Sequence, residues 1–147
     1  MDVFTLGYQG TTLAAYITAL EAAGINLVID VRETPWSYKP GFSKNPLMTA
    51  LQSAGIDYLH LKSAGNPSIN RKTAKNSTEC LALYTKHLKN NPGCLQELQA
   101  LILSHAKRKR RVCLTCFEKH PIECHRSILI DKLKKRMPAI SPVHLSL

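Results

Sequence analysis

The chain has 147 residues, 44% of them hydrophobic and 20% charged, a composition too apolar for a disordered polypeptide and a size at which one core buries roughly two-thirds of the extended surface. No apolar run reaches the roughly 18 residues of a membrane span, and Met1-Asp2-Val3-Phe4-Thr5 carries no basic region ahead of an apolar stretch, so a soluble protein with cytoplasmic location and no membrane partner is expected. The formal charge of +10 is concentrated: His105 to Arg136 hold eleven Lys or Arg against Glu118, Glu123 and Asp131, whereas the first 104 residues hold nine against seven.

Val3 to Gly7 is a short β-favouring run. Thr11 and Thr12 then offer caps for a helix with Leu13, Tyr16, Ile17 and Leu20 on one face and Gly24 at its end. Leu27 to Val31 is apolar except for Asp30, as in a parallel strand covered on both faces. Together these segments predict a βαβ unit with its two strands side by side. Residues Arg32 to Asn45 hold Pro35, Trp36, Pro40, Gly41 and Phe42 and read as an ordered loop. A helix then starts at Pro46, buries Leu47 and Leu51 and stops at Gly55, before a third strand over Ile56 to Leu61. The polar stretch Lys62 to Ser77 predicts a long surface loop. Helices follow over Thr78 to Lys89 and Cys94 to Ala106, separated by Asn91-Pro92-Gly93. Arg111 to Phe117 reads as a central strand, and a closing helix with Leu129, Ile130, Leu133 and Met137 inside begins near Pro121. Residues 138–147 are left as a short tail. The expected fold is a single α/β domain over residues 1–147, a Rossmann-like three-layer α/β/α sandwich with a mostly parallel sheet.

Under that topology the C-terminal ends of the second, third and fourth strands share one rim, where open α/β sheets bind ligands. The rim carries Asp30, Arg32, His60, Cys116 and Glu118. Cys124, His125 and Arg126 fall at the start of the last helix, whose free N–H groups favour an anion. Asp30, Glu118 and His125 are candidates for proton transfer, Cys116 and Cys124 for nucleophile, and Arg32, Ser37, Tyr58, His60 and Arg126 for holding an anion or substrate. Each has a plainer reading: Asp30 and Arg32 as an ion pair closing a loop, Cys116 as a small buried hydrophobe, His125 as a donor to a backbone carbonyl, Trp36, Phe42 and Tyr58 as lid or core packing. Five cysteines without a secretory context read as thiols, metal ligands or catalytic groups rather than a disulfide framework. Cys113-x-x-Cys116 with Cys124-His125 offers zinc-type donors, but residues three apart on a strand face opposite sides, so neither metal nor cofactor is expected.

Six blocks carry a resemblance. They are Thr5-Leu6-Gly7-Tyr8-Gln9-Gly10; Asp30-Val31-Arg32 with Pro35, Trp36, Ser37 and Gly41-Phe42-Ser43-Lys44; Gly55-Ile56-x-Tyr58-x-His60-Leu61; Gly65-Asn66-Pro67; Cys116-Phe117-Glu118; and Cys124-His125-Arg126-Ser127. In order, over about residues 3–136, they resemble the domain of unknown function 488 family of bacterial-type proteins. The resemblance implies a Rossmann-like three-layer fold and no particular reaction.

Three functional classes remain open. The first is an enzyme acting on a phosphate-bearing ligand, a nucleotide or nucleic acid, held by the helix start and Arg126. The second is cysteine-dependent sulfur or phosphoryl transfer, because Asp30-Val31-Arg32-Glu33 after an apolar strand also resembles the rhodanese pattern; Phe117 to Glu123 is not the Gly-rich or Ser-rich loop that pattern needs. The third is a non-catalytic nucleic-acid-binding module using Lys107 to Arg111, with salt-dependent affinity.

Overall fold

The computed structural model describes residues 1–121 and 124–147. Strand β1 (Asp2–Gly7) leads through helix α1 (Leu13–Ala22) to β2 (Ile25–Asp30). The Thr12 hydroxyl caps α1 by accepting from Ala15 N at 3.1 Å, and Gly24, at φ 69°, makes the left-handed turn into β2 that a side chain would strain. Helix α2 (Lys44–Ser53), β3 (Asp57–His60) and helices α3 (Ser68–Thr73), α4 (Ser77–Asn90) and α5 (Gly93–Lys107) follow. Strand β4 (Arg111–Cys116), helix α6 (His125–Arg136) and strand β5 (Ser141–His144) complete the chain.

The five strands form an all-parallel sheet in the order β3-β2-β4-β1-β5. Phe4, Leu6, Val28 and Cys113 pack on Tyr16, Leu20, Leu47 and Leu51 of α1 and α2. On the other face Val3, Ile29, Val112 and Leu114 pack on Tyr84, Leu98, Ile102 and Leu129 of α4, α5 and α6. Every central strand is therefore apolar on both sides, which is why β2 and β4 read as nearly unbroken hydrophobic runs. The three-layer α/β/α architecture expected from the element order is the one found.

Four details differ from expectation. Strands β1 and β2 are not neighbours, because β4 lies between them and pairs with both. A crossover helix about 10 Å wide spans two strand spacings of about 4.8 Å, so α1 can bridge from β1 to β2 with β4 lying between them. The stretch expected as a loop over 62–77 carries a 3-10 turn at Lys62–Ala64 and helix α3. Their anchors are distant in sequence: the Glu33 carboxylate accepts from Ser68 N at 3.1 Å, and the Tyr84 hydroxyl donates to Ala64 O at 2.7 Å. The tail holds β5, joined to β1 through Ser141 N to Met1 O and Leu145 N to Thr5 O. Finally, α6 begins at His125 and not near Pro121; residues 122 and 123, in the expected first turn, lie outside the described residues.

Candidate functional site

Strand β1 hands its chain to α1 on one face of the sheet and β4 hands its chain to α6 on the other. The two exits diverge and leave a crevice at the C-terminal ends of β1, β2 and β4, as strand reversals in open α/β sheets do. It is a cleft of about 770 Å³. Among its walls are Arg32, Ser37, Cys116, Glu118 and His125, all expected from the sequence, together with Tyr8, Lys39 and Arg71. Asp30, Tyr58, His60, Cys124 and Arg126 stand behind these walls and hold them.

Asp30 ends β2 with no solvent exposure. Its carboxylate takes a bidentate pair from Arg32, Nε to Oδ1 at 2.8 Å and Nη2 to Oδ2 at 2.6 Å, and accepts from the Tyr58 hydroxyl at 2.6 Å. Burial works against the Arg32 charge, but Asp30 outweighs it and raises the guanidinium pKa above its usual value. Burial, then the Asp30 charge, raises the Tyr58 pKa likewise. Arg32 Nη1 donates to the Tyr8 hydroxyl and to Phe42 O at 2.6 Å, which ties the aromatic loop to the sheet. His60 Nε2–H donates to Arg32 O at 2.7 Å. The Asp-Arg pair thus shapes the cleft wall, with Arg32 itself at the surface of the cleft.

Arg126 is wholly buried, although it sits at the second position of α6. Nε donates to the Thr5 hydroxyl at 3.2 Å, Nη1 to Cys116 Sγ at 2.9 Å and to Glu118 O, and Nη2 to Lys119 O at 3.0 Å. Burial lowers its pKa and the charge of Glu118 opposes that. Gly7 permits this arrangement: a β-carbon there would collide with the Glu118 carbonyl and come within 2.7 Å of Arg126 Nη1. Thr5 in turn bonds His144 Nδ1 at 2.6 Å, so β5, read from the sequence as a tail, braces the arginine.

Cys116 closes β4 at the floor of the cleft and Cys124 is the N-cap of α6. Their sulfur atoms are paired as a disulfide between Cα atoms 7.6 Å apart. Cys124 Sγ accepts from Arg126 N at 3.4 Å, the position an external anion would take at a free helix start. Cys113 faces the opposite layer and is fully buried, as the strand alternation requires, and burial pushes its thiol pKa up. It takes no part in the cluster.

His125 Nε2–H donates to Val31 O at 2.7 Å, since a carbonyl can only accept. The neutral ring therefore presents the Nδ1 lone pair to Cys124 Sγ, 3.6 Å away. Burial, with Arg71 and Arg126 nearby, lowers its pKa to about 4 against the one bond to Val31 that favours the charge. Near neutrality the ring is therefore uncharged.

Sequence reasoning gave no chemical role to Thr5 and Tyr8, named only within a family block, and none to Arg71. Thr5 lies on β1 and Tyr8 directly follows that strand, on the same rim as the ends of β2 and β4. Arg71 comes from α3, inside the stretch read as a loop; its Nη1 donates to Asn66 O at 2.8 Å, and Asn66 Nδ2 donates to Cys80 Sγ at 3.3 Å. The basic run Lys107 to Arg111 enters β4 at the N-terminal edge of the sheet, opposite the cleft. There Arg110 pairs with Asp57, and the Arg111 guanidinium lies 5.6 Å from the Phe4 ring centroid. Among the described residues no helix is long and apolar enough to cross a membrane.

These features define an all-parallel α/β protein with a paired-cysteine centre at the carboxyl rim of its sheet. A family model described as Domain of unknown function DUF488 matches residues 12–133, and the chain belongs to that family. No curated protein and no solved structure matches the chain.

Proposed function

We propose that this chain is a cysteine-dependent sulfur-transfer enzyme, with Cys116 as nucleophile and Cys124 as the thiol that resolves its adduct. The observation that carries the reading is the position of Cys116 Sγ: at a strand end on the cleft floor, 2.9 Å from the buried Arg126 guanidinium, with a second cysteine in reach. A cation at that distance favours the thiolate, which is the nucleophilic form.

In the proposed cycle the Cys116 thiolate attacks the outer sulfur of a sulfane donor, forming an Sγ–S bond while the donor's own S–S bond breaks and its remainder leaves as an anion. The Cys124 thiolate then attacks Cys116 Sγ, forming the Cys116–Cys124 disulfide and releasing the carried atom as hydrosulfide. The donor is the oxidant, and an external dithiol returns the pair to its reduced form. The presence of Cys124 favours sulfur over phosphoryl transfer, because a second thiol has nothing to resolve in a phosphocysteine. Lys39 and Arg71 in the cleft suit an anionic donor.

The test is turnover of reduced protein with thiosulfate as donor and intact mass as readout. One added sulfur on Cys124→Ser protein, absent from Cys116→Ser protein, supports the assignment; unaltered turnover in Cys116→Ser overturns it. A second reading, a phosphate-bearing nucleotide in the same cleft, draws on Lys39, Arg71 and the aromatic pair Trp36 and Tyr38, whose ring centroids are 4.4 Å apart. Calorimetric titration with nucleotides, lost in Arg71→Gln, supports it.

A further inference from the structure

Cys116, Glu118 and Cys124 form a cluster whose donor atoms all lie within 4.8 Å of one another. We propose that, when the cysteines are reduced, this cluster binds a thiophilic divalent cation, with zinc as the probe. The site differs from the Cys113-x-x-Cys116 arrangement that strand geometry rules out: Glu118, two residues beyond Cys116, supplies the third ligand and shares the cleft wall with it.

Four features support the assignment. The donor set is two thiolates and a carboxylate, which suits zinc. The two cysteine Cα atoms stand 7.6 Å apart, so the side chains reach a common point from opposite sides. Charge is matched: three negative ligands face one divalent cation and the Arg126 guanidinium. The surroundings are those of a metal-bound thiolate pair, because Arg126 Nη1 donates to Cys116 Sγ at 2.9 Å and Arg126 N donates to Cys124 Sγ at 3.4 Å. N–H donors of this kind hold thiolate ligands in position and temper their charge.

The buried His125 ring, fixed by Val31 O, lies behind Cys124 with Nδ1 3.6 Å from its sulfur, outside the ligand set. Three protein ligands leave one tetrahedral position, which opens to the cleft through Cys116 and Glu118. Oxidation of the two thiolates to a disulfide removes two of the three ligands and releases the ion. The same pair therefore couples cation occupancy to redox state.

This inference rests on the premise of the proposed function that both cysteines are available as thiolates, and the experiment separates the two. Reduced full-length protein is mixed with excess zinc, desalted without air, and its retained metal measured; cobalt is substituted in parallel to record thiolate-to-metal absorption. One equivalent is expected, lost in Cys116→Ser, at least tenfold weaker in Glu118→Gln, unchanged in Cys80→Ser, and released by a thiol oxidant. Apo protein is alkylated alongside. If Cys116 and Cys124 alkylate but zinc is not retained, or if Cys116→Ser retains it equally, the cation site is wrong and the sulfur-transfer reading stands. If neither thiol alkylates after reduction, both fall together.

Discussion

Arg126 Nη1 lies 2.9 Å from Cys116 Sγ, with the arginine out of solvent and the cysteine 1% exposed. A buried guanidinium that has lost its hydration gains from a neighbouring anion, and a thiolate supplies one. Lysine at this position keeps the charge but not the flat geometry that lets Nη1 reach the sulfur while Nε holds Thr5. Arg126→Lys is expected to slow alkylation of reduced Cys116 at neutral pH by about tenfold, equivalent to about 1.4 kcal/mol. The rate is read by mass spectrometry on protein confirmed to be folded. An unchanged rate would sever the arginine from the cysteine's reactivity.

His125 carries a signature in acid. Its pKa is lowered to about 4 by burial, whereas an unfolded histidine titrates near 6.5. Above about 6.5 neither state is protonated and stability is complete. As pH falls through the interval the unfolded chain takes up the proton first, and by about pH 4 roughly 3 kcal/mol is lost. His105 and His144 are also lowered by burial and add slope of the same sign. His125→Gln should therefore flatten, without abolishing, the fall in thermal midpoint between pH 7.5 and 4.5. A slope identical to that of the parent protein would contradict the buried neutral ring.

The Asp30–Arg32 pair is predicted to matter for folding more than for chemistry. Asp30→Asn leaves a buried guanidinium without its counter-charge, and loss of one partner of such a pair costs about 3–5 kcal/mol. Tyr58→Phe removes only the hydroxyl that donates to Oδ2 at 2.6 Å, at about 1.5–3 kcal/mol. Denaturant midpoints with unchanged slopes measure both. Equal losses in the two variants would mean that the ion pair is not the larger contribution.

The central sheet was legible because buried parallel strands are apolar on both faces, so Leu27 to Val31 and Arg111 to Phe117 stood out. Their order was not legible, since no residue of β1 or β2 records that β4 comes between them. β5 was missed because Ser141-Pro142-Val143-His144 is short, half polar and interrupted by proline, which edge strands tolerate and sequence patterns penalise. α3 was missed because its anchor, Glu33, is 35 residues away. In the site, Cys116, His125 and Arg126 were found from their place at element ends. The inward direction of Arg126 was not, because it depends on Gly7 allowing the loop after β4 to lie against β1.

That dependence gives a direct test. A β-carbon at position 7 meets the Glu118 backbone and Arg126 Nη1; both are held from several sides, so the loop and the guanidinium must shift together. Gly7→Ala is expected to cost about 1–3 kcal/mol, as overpacking does, and to reduce Cys116 alkylation by the same order as Arg126→Lys. Combining the two substitutions should add little to the rate effect, because both act on one contact. Full additivity would place the glycine's effect elsewhere.

The basic run is expected to be silent at the cleft. Lys107, Arg108 and Lys109 are exposed at the N-terminal edge of β4, and the six residues of that strand separate them from Cys116. At about 3.3 Å per residue the distance is about 20 Å, more than twice the Debye length of about 8 Å at physiological salt. Neutralising all three to glutamine should leave Cys116 alkylation and zinc retention within about twofold of the parent protein, less than 0.5 kcal/mol on the scale where tenfold is about 1.4. A tenfold drop in alkylation would join the two ends of the sheet into one electrostatic site, and would favour a polyanion lying across both over a small donor held in the cleft.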